Sequence, residues 1–214
     1  MKKIILIIAI TIIFLQGCYT PATFQNAKLI PPKQIEISPH ITANNPMTDH
    51  KTNFGVIVKY GLHEKKNLLF RYENIQVAES DTSGYDYFAI GGKIIWKKNK
   101  VTFTDFVGVY LDKGHIDGFF FEYKPSVNWT IYDNDNLELN LSANAPINFW
   151  PDDKNQNIHI FFGYVNLNFC PAFSTDFSKY SIRPLLGWCS YAWSGFDTSR
   201  FYQGISFSYK FELK

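Results

Sequence analysis

The sequence predicts an all-β fold, an antiparallel up-and-down β-barrel of eight to ten strands. The first observation is that apolar and polar residues alternate again and again after residue 32, which is the period of a β-strand. The second is that turn-forming clusters such as HEKK, KKN and DND separate the alternating stretches. The third is that aromatic residues make up 18% of the chain and that many lie near predicted strand ends.

Nine turn-rich connections divide the chain into ten predicted strands. In the second of them, Phe54 and Val56 lie on one face, and Gly55 and Lys59 lie on the other. Eight strands remain an alternative if the first or the ninth stretch is irregular. The predicted strands are residues 33–42, 53–61, 67–77, 85–97, 100–111, 118–131, 137–145, 157–170, 180–193 and 201–213.

The connections between the predicted strands alternate in length, and the odd-numbered connections tend to be the longer ones. Outer-membrane barrels have short turns at the periplasmic end and longer loops at the outer end. An even number of strands returns both chain ends to one side of the barrel. We therefore expect both ends on the side of the short turns.

The polar face of the predicted strands combines small residues with charges of both signs. Small residues fit a narrow interior, and opposite charges can pair across a small lumen, where a buried charge needs a partner. We therefore expect this face to point inward and the apolar face to point outward. Its charged residues are Lys59, Arg71, Glu73, Lys93, Glu122, Lys124 and Glu138.

The N-terminal residues form a separate unit. Lys2 and Lys3 precede an apolar stretch, residues 4–15, in which Thr11 is the polar member. As a helix this stretch would be about 18 Å long at roughly 1.5 Å per residue, too short for a bilayer core of about 30 Å. It fits the basic and apolar regions of a secretory signal peptide.

The apolar stretch ends in the run Leu15, Gln16, Gly17, Cys18. This run resembles the lipobox of bacterial lipoproteins, in which the cysteine is acylated and becomes the first residue of the mature chain. Three acyl chains exceed the two signals that stable anchoring requires. By the family's sorting pattern, Tyr19 after the cysteine implies the outer membrane of a Gram-negative-type bacterium.

The body of the chain resembles small outer-membrane β-barrel proteins in the strands from Phe119 to Tyr132 and from Tyr87 to Trp96. The alternating aromatic C-terminal strand resembles the signal that the barrel-insertion machinery reads. The resemblance implies two partners. One is that machinery, and the other is the membrane lipid, which contacts both the barrel exterior and the acyl chains of Cys18. The chain then divides into a signal peptide (1–17), a lipidated tether (18–32) and a β-barrel domain (33–214).

The charge of the chain gives no support to nucleic-acid binding. Its 21 basic and 19 acidic residues become balanced when Lys2 and Lys3 leave with the signal peptide. Phosphate binding needs a basic surface. Because the sequence also contains no HExxH, CxxC or phosphate-binding loop, we predict no catalytic residues, no metal site and no cofactor. The sequence identifies no extracellular partner.

A disulfide between Cys170 and Cys189 depends on the geometry of one turn. The two residues must lie nearly opposite each other on neighbouring strands. A tight turn near Asp176 argues against the bond, and a longer loop near Tyr180 would allow it, so the sequence leaves both alternatives open.

Two predicted loops carry candidate contact residues. Phe149 and Trp150 lie in the stretch APINFWPDDKNQN, where exposed aromatic residues can mark a binding site. The favoured alternative is that they dip into the membrane interface or fold over the barrel mouth. His115 lies between Asp112 and Asp117 on another predicted loop, and a solvated loop is the favoured explanation of this cluster.

These observations favour a lipid-anchored outer-membrane barrel with a structural, adhesive or small-ligand-binding role and without enzymatic activity. One alternative is a periplasmic, soluble, lipocalin-like barrel that binds a hydrophobic ligand. A second is a lipid-modifying outer-membrane enzyme. Apolar faces that point outward indicate a membrane barrel, and apolar faces that point inward indicate a soluble carrier. The residues that decide this are Leu137, Leu139, Leu141, Phe207, Tyr209 and Phe211.

Overall fold

The computed structural model describes residues 24–44, 52–76, 84–112, 119–152, 157–162, 164–191 and 200–213. Every regular element in them is a strand, and no helix there has the length and apolar character needed to cross a bilayer. The strands are β1 (Gln34–Asn44), β2 (Thr52–His63), β3 (Lys66–Gln76), β4 (Gly84–Lys97), β5 (Val101–Asp112), β6 (Phe119–Asp133), β7 (Leu137–Asn144), β8 (Ile147–Asp152), β9 (Asn157–Phe162), β10 (Tyr164–Phe169), β11 (Ala172–Phe173), β12 (Tyr180–Tyr191) and β13 (Arg200–Glu212).

The sheet closes on itself because β1 pairs with both β2 and β13. All pairings are antiparallel, and apart from the one between β1 and β13 they join strands that follow one another along the chain once the interrupted strands described next are counted as single lines. Strands β7 and β8 continue one line along β6 and are separated by Ala145 and Pro146. Strands β9, β10 and β11 likewise form one line against them. The thirteen segments therefore make a closed barrel of ten strands, which confirms the predicted up-and-down β-barrel.

The strands are tilted relative to the barrel axis. The pairing registers accumulate a stagger of about 12 residues in one circuit of the ten strands, which corresponds to a tilt of roughly 40°. At this size side chains fill most of the interior.

Short turns join the strands at one end of the barrel, here called the turn end. Strand β2 ends at His63 and β3 begins at Lys66, and the pairs β4–β5 and β6–β7 are joined as tightly. Asn99 adopts a left-handed φ of 57°, which asparagine tolerates better than most residues. At the opposite end, the loop end, wider gaps separate the strands, such as the one from Asn44 to Thr52.

The turn before β12 is held by an acidic side chain. Asp176 Oδ1 accepts hydrogen bonds from Ser178 Oγ (2.5 Å) and Ser178 N (3.0 Å), and Lys179 Nζ lies 3.0 Å from Oδ2. These contacts lower the pKa of Asp176 to about 2, with the Ser178 side chain the largest cause. The pairing of Phe173 with Ile182 centres the turn between Phe177 and Ser178, which lies between the two turn positions considered in the sequence analysis.

The apolar faces of the strands point outward. Leu141, Phe207, Tyr209 and Phe211 are between 36% and 51% exposed, and the neighbouring residues Asn140, Ser142, Ser206 and Ser208 on the same strands are buried and polar. Leu137 and Leu139 are half-buried on the same outward face of β7. The soluble-carrier alternative required these side chains to line the interior, so the observed orientation argues against it.

One charged side chain interrupts the outward apolar face of β5. Asp105 is exposed between Phe103 and Val107, and its Oδ1 accepts a hydrogen bond from the backbone N–H of Gly92 at 3.0 Å. The same strand otherwise presents apolar residues outward.

Candidate functional site

The lumen is the candidate functional site because it holds most of the buried polar groups of the described residues. The seven charged residues predicted to point inward are all buried there. Each sits on a strand position that alternates with an outward apolar residue. Glu36, His40 and Arg183 are also buried in the lumen, although the sequence analysis did not select them.

A carboxylate surrounded by cations lies near the turn end. Glu36 Oε1 is 2.7 Å from Lys59 Nζ and 2.9 Å from Arg183 Nη1, and its Oε2 is 3.8 Å from Lys210 Nζ. Ser38 Oγ also donates to Glu36 at 3.2 Å. These residues come from β1, β2, β12 and β13, so the cluster joins four strands on both sides of the β1–β13 pairing.

A second charged group lies further toward the loop end. Glu73 accepts a bond from Arg71 Nη2 at 2.7 Å and contacts His40 Nε2 at 3.2 Å. Tyr87 and Tyr110 donate to the two oxygens of Glu122 at 2.8 and 3.0 Å. Glu73 thus has a charged partner on its own strand and a histidine contact from β1, and Glu122 is bonded by hydroxyl groups from β4 and β5, so both buried carboxylates have polar partners in the lumen.

Residues 24–33, here called the inner segment, lie inside the barrel. Asn26 donates from Nδ2 to Glu138 Oε2 at 3.1 Å, and Lys93 Nζ donates to the carbonyl oxygens of Asn26 and Lys28. The N–H of Ala27 donates to the hydroxyl of Thr130 on β6 at 3.2 Å. The predicted tether is thus described from Phe24 onward, and that part occupies the lumen.

The inner segment continues to the turn end and leaves the lumen there. Lys28 Nζ lies 2.8 Å from both Asp133 and Glu138. Asn67, with its amide oriented by its partners, binds both backbone polar groups of Ile30, at 3.2 and 2.9 Å. Lys33 N donates to the carbonyl of Gly61 at 2.9 Å, after which β1 begins.

A small apolar socket holds the ring of Phe24. The ring is fully buried, and its centroid lies 5.0 Å from that of His40. Gly204 leaves room for it, because a Cβ at that position would lie 2.9 Å from Phe24 Cζ. The other buried members of the socket are Ile57, Cys170, Leu185, Cys189 and Tyr202.

The two cysteines of the socket are buried, and no disulfide joins them in the structure. The register of β10 with β12 pairs Phe169 with Leu186 and Asn166 with Cys189, which sets Cys170 four positions from Cys189. A disulfide needs partners that are nearly opposite. The bond that the sequence analysis left open is therefore absent from this structure.

A wall of asparagine and serine side chains faces the lumen beside the socket. This Asn/Ser wall consists of Ser126 and Asn128 on β6, Ser142 on β7, and Asn166 and Asn168 on β10, all of them buried. Asn128 Nδ2 donates to Thr104 at 2.8 Å, Asn166 Nδ2 donates to Asn144 at 2.7 Å, and Tyr202 donates to Asn168.

The other predicted contact sites differ from their expected positions or fall outside the described residues. Phe149 and Trp150 were expected in a loop, but they belong to β8, which extends β7 because it continues the pairing with β6 and forms a hairpin with β9. His115 and the lipobox residue Cys18 lie outside the described residues. In the part of the chain that is described, no three metal-ligating side chains cluster.

The sequence did not predict the position of the inner segment, because the stretch from Tyr19 to Pro32 contains three prolines and no strand period. A signal for it was nevertheless present. Gly61 and Gly204 lie on the inward face, and glycine in a strand interior often marks a close approach of another backbone. A Cβ on Gly61 would lie 1.9 Å from the carbonyl oxygen of Pro31.

We expect Gly61→Ala to loosen the inner segment while the barrel remains closed. The methyl group would overlap backbone atoms of Pro31, and overpacking of this kind costs about 1–3 kcal/mol. Hydrogen exchange should show faster exchange at Lys33, whose N–H is bonded to Gly61. The control is Gly92→Ala, whose Cβ would approach only the Asp105 carboxylate, at 3.1 Å; equal effects in the two variants would contradict the prediction.

Solved structures of several bacterial barrels resemble this chain. No protein-family model and no curated protein matches it. The N-terminal β-barrel domain of Pseudomonas aeruginosa OprF is 10% identical, with 84% of this chain and 98% of that chain covered and a TM-score of 0.36. A bacterial polysaccharide outer membrane secretin is 8% identical, with 87% and 100% covered and a TM-score of 0.34. Acinetobacter baumannii CarO is 9% identical, with 84% and 98% covered and a TM-score of 0.32. At these values the likeness carries no information about function.

Proposed function

We propose that the chain is a β-barrel of the bacterial outer membrane that inserts through its own exterior. The supporting observation is the polarity of the wall: large apolar side chains are exposed on strands around the whole barrel, and most of the buried side chains between them are polar or charged. A barrel in water buries its apolar face, and a barrel in lipid exposes it.

Aromatic residues at the turn end support the same proposal. Trp96 is 71% exposed and stacks on Phe103 with ring centroids 5.0 Å apart, and Trp129 is 52% exposed on the neighbouring strand. Exposed tryptophan side chains are costly in water and favourable at the depth of lipid headgroups. Their position at the strand ends matches one girdle of a membrane barrel.

The proposal includes an acyl anchor on Cys18 and recognition of the C-terminal strand by the insertion machinery. Both come from the sequence patterns described above. Five residues lie between Cys18 and Phe24, and the six steps of chain between these two residues can span at most about 20 Å, which limits how far the anchor can lie from Phe24.

The proposed role is structural, adhesive or ligand-binding, and it is not enzymatic. A lipid-modifying enzyme would need a histidine beside a nucleophile at one rim. His40, the buried histidine of the described residues, contacts Glu73 and the carbonyl of Ser38 deep in the lumen. The inner segment fills the turn-end half of the lumen, which leaves the connections at the loop end as the surface that external partners can reach.

The test is whether lipid tails contact the barrel wall in the absence of the acyl anchor. We expect the Cys18→Ser protein, refolded into vesicles, to lose Trp96 and Trp129 fluorescence when the lipids carry bromine on their acyl chains, because bromine quenches indoles that it contacts. Its gel mobility in detergent should also change on heating. Unquenched fluorescence in a folded, water-soluble protein would refute the proposal and restore the soluble-barrel alternative.

A further inference from the structure

Hydrogen bonding of the inner segment differs between its two parts. From Asn26 to Lys33 the backbone is bonded to β2, β4 and β6. Gln25, just before this part, is 1% exposed, yet neither its Oε1 nor its Nε2 has a hydrogen-bond partner in the structure. The part of the segment nearer the turn end is therefore held by hydrogen bonds, whereas the Gln25 side chain, nearer the loop end, is buried without them.

The Asn/Ser wall has the same deficiency. Ser126 Oγ, Ser142 Oγ and Asn128 Oδ1 are buried without a hydrogen-bond partner. Asn166 Oδ1 and Asn168 Nδ2 are unpartnered as well, although the opposite amide atom of each is bonded. All five atoms belong to side chains that are at least nine-tenths buried and that come from three adjacent strands.

The registers place the wall at the level of Gln25. Ala27 is bonded to Thr130, and Asn128 lies two positions closer to the loop end on β6. The inner segment runs in the same direction as β6, so Gln25 lies two positions closer to the loop end than Ala27. Asn128 pairs with Ser142, which pairs with Asn168, so one row of the wall lies at this height.

Unpartnered buried polar groups are rare in folded proteins, because each one loses its hydrogen bonds to water. A wall that only filled space around the inner segment would be apolar, like the socket of Phe24. Five buried polar atoms without hydrogen-bond partners on neighbouring strands fit a surface that is hydrated in another conformation of the protein. Amide and hydroxyl groups without charge also match the hydrogen-bonding groups of neutral polyhydroxylated solutes.

We propose that the inner segment is a displaceable plug, and that the Asn/Ser wall lines a narrow passage for uncharged polyhydroxylated solutes when the plug withdraws. This inference depends on the proposed insertion into a membrane. The bound state closes the lumen through the contacts of Lys93, Glu138 and Thr130 with the segment. In the open state the unpartnered atoms of the wall form hydrogen bonds with water or solute.

The two cysteine thiols of the socket report the position of the plug. Cys170 and Cys189 are packed with Phe24, so a charged thiol reagent reaches them only when the segment moves. The reagent is 2-sulfonatoethyl methanethiosulfonate, applied to the full-length protein in vesicles and read by peptide mass spectrometry. We expect Lys93→Met, which removes the ammonium bound to the carbonyl oxygens of Asn26 and Lys28, to accelerate labelling at least about tenfold, since each lost charge-assisted hydrogen bond is worth roughly that factor. Glu138→Gln, which weakens the contacts with Asn26 and Lys28, is the second variant.

Passage is measured separately by the swelling of vesicles in L-arabinose. We expect Lys93→Met to swell faster than the wild type, and Ser142→Leu in the same background to slow the swelling again while thiol labelling stays fast. The control is Lys179→Met, because Lys179 is an exposed lysine in the turn before β12. It should behave as the wild type in both assays.

The proposal is overturned if Lys93→Met and Glu138→Gln are both inserted but label no faster than the wild type. It is also overturned if labelling accelerates without arabinose uptake, or if Ser142→Leu leaves the uptake unchanged. Quenching by brominated lipids, measured on the same samples, reports insertion independently. Its loss in the wild type would refute the proposed function and not the plug alone.

Discussion

Glu36→Gln is expected to lower the stability of the barrel by about 3–5 kcal/mol, because it leaves Lys59 and Arg183 buried without their carboxylate. Glutamine keeps the shape and the hydrogen-bonding capacity of the side chain, so the loss of stability measures the contribution of the negative charge. The effect is large because the carboxylate is almost fully buried and holds cations from strands on both sides of the β1–β13 pairing.

The measurement is urea unfolding of the protein in lipid vesicles, followed by tryptophan fluorescence. The matched control is Glu212→Gln at the same end of the barrel, where an exposed carboxylate accepts one bond from Gln34 at 3.3 Å. Exposed polar contacts of this kind contribute about 0–1 kcal/mol. If the two substitutions had equal effects, the Glu36 cluster would not be a major source of stability.

Leu167→Arg is expected to destabilise the barrel in a bilayer by about 2–4 kcal/mol, the cost of a cation at mid-depth on a lipid-facing strand. Leu167 is 50% exposed on β10, away from both strand ends of its line. In a barrel surrounded by water the same substitution at an exposed site would cost little.

A second exposed leucine provides the control for depth. Leu62 is 48% exposed and lies beside the turn between β2 and β3, where a cation reaches the interface and costs about 0–1 kcal/mol. Unfolding of the two arginine variants in vesicles gives the difference directly. If the two arginine variants had equal free energies of unfolding, the barrel exterior would not be in contact with lipid.

The fold could be predicted from the sequence because its determinants are local. A period of two, as in β2 with Val56 outward and Lys59 inward, assigns each residue to a face, and turn residues mark the ends of strands. Mixed charges on the small-residue face indicated which side is the lumen. The pairing partners of those charges, such as Glu36 with Arg183, depend on the stagger of the whole barrel and had no local signal.

The candidate site was largely beyond sequence reasoning for the same reason. The inner segment has no period of its own, and its contacts with Lys93 and Glu138 join residues far apart in the chain. The cysteines were assessed as a pair, whereas the structure uses both as small apolar neighbours of Phe24. The extension of β7 by β8 was missed because Pro146 and Pro151 resembled a loop, although the pairing with β6 resumes beyond Pro146.

The pairing of β1 with β13 also imposes an order on assembly. The seam between these two strands is the last part of the wall that can form, because each belongs to a different end of the sheet. The inner segment immediately precedes β1, so we expect it to be placed against the sheet before the seam forms. Once the seam has closed, the segment can move only lengthwise, along the barrel axis.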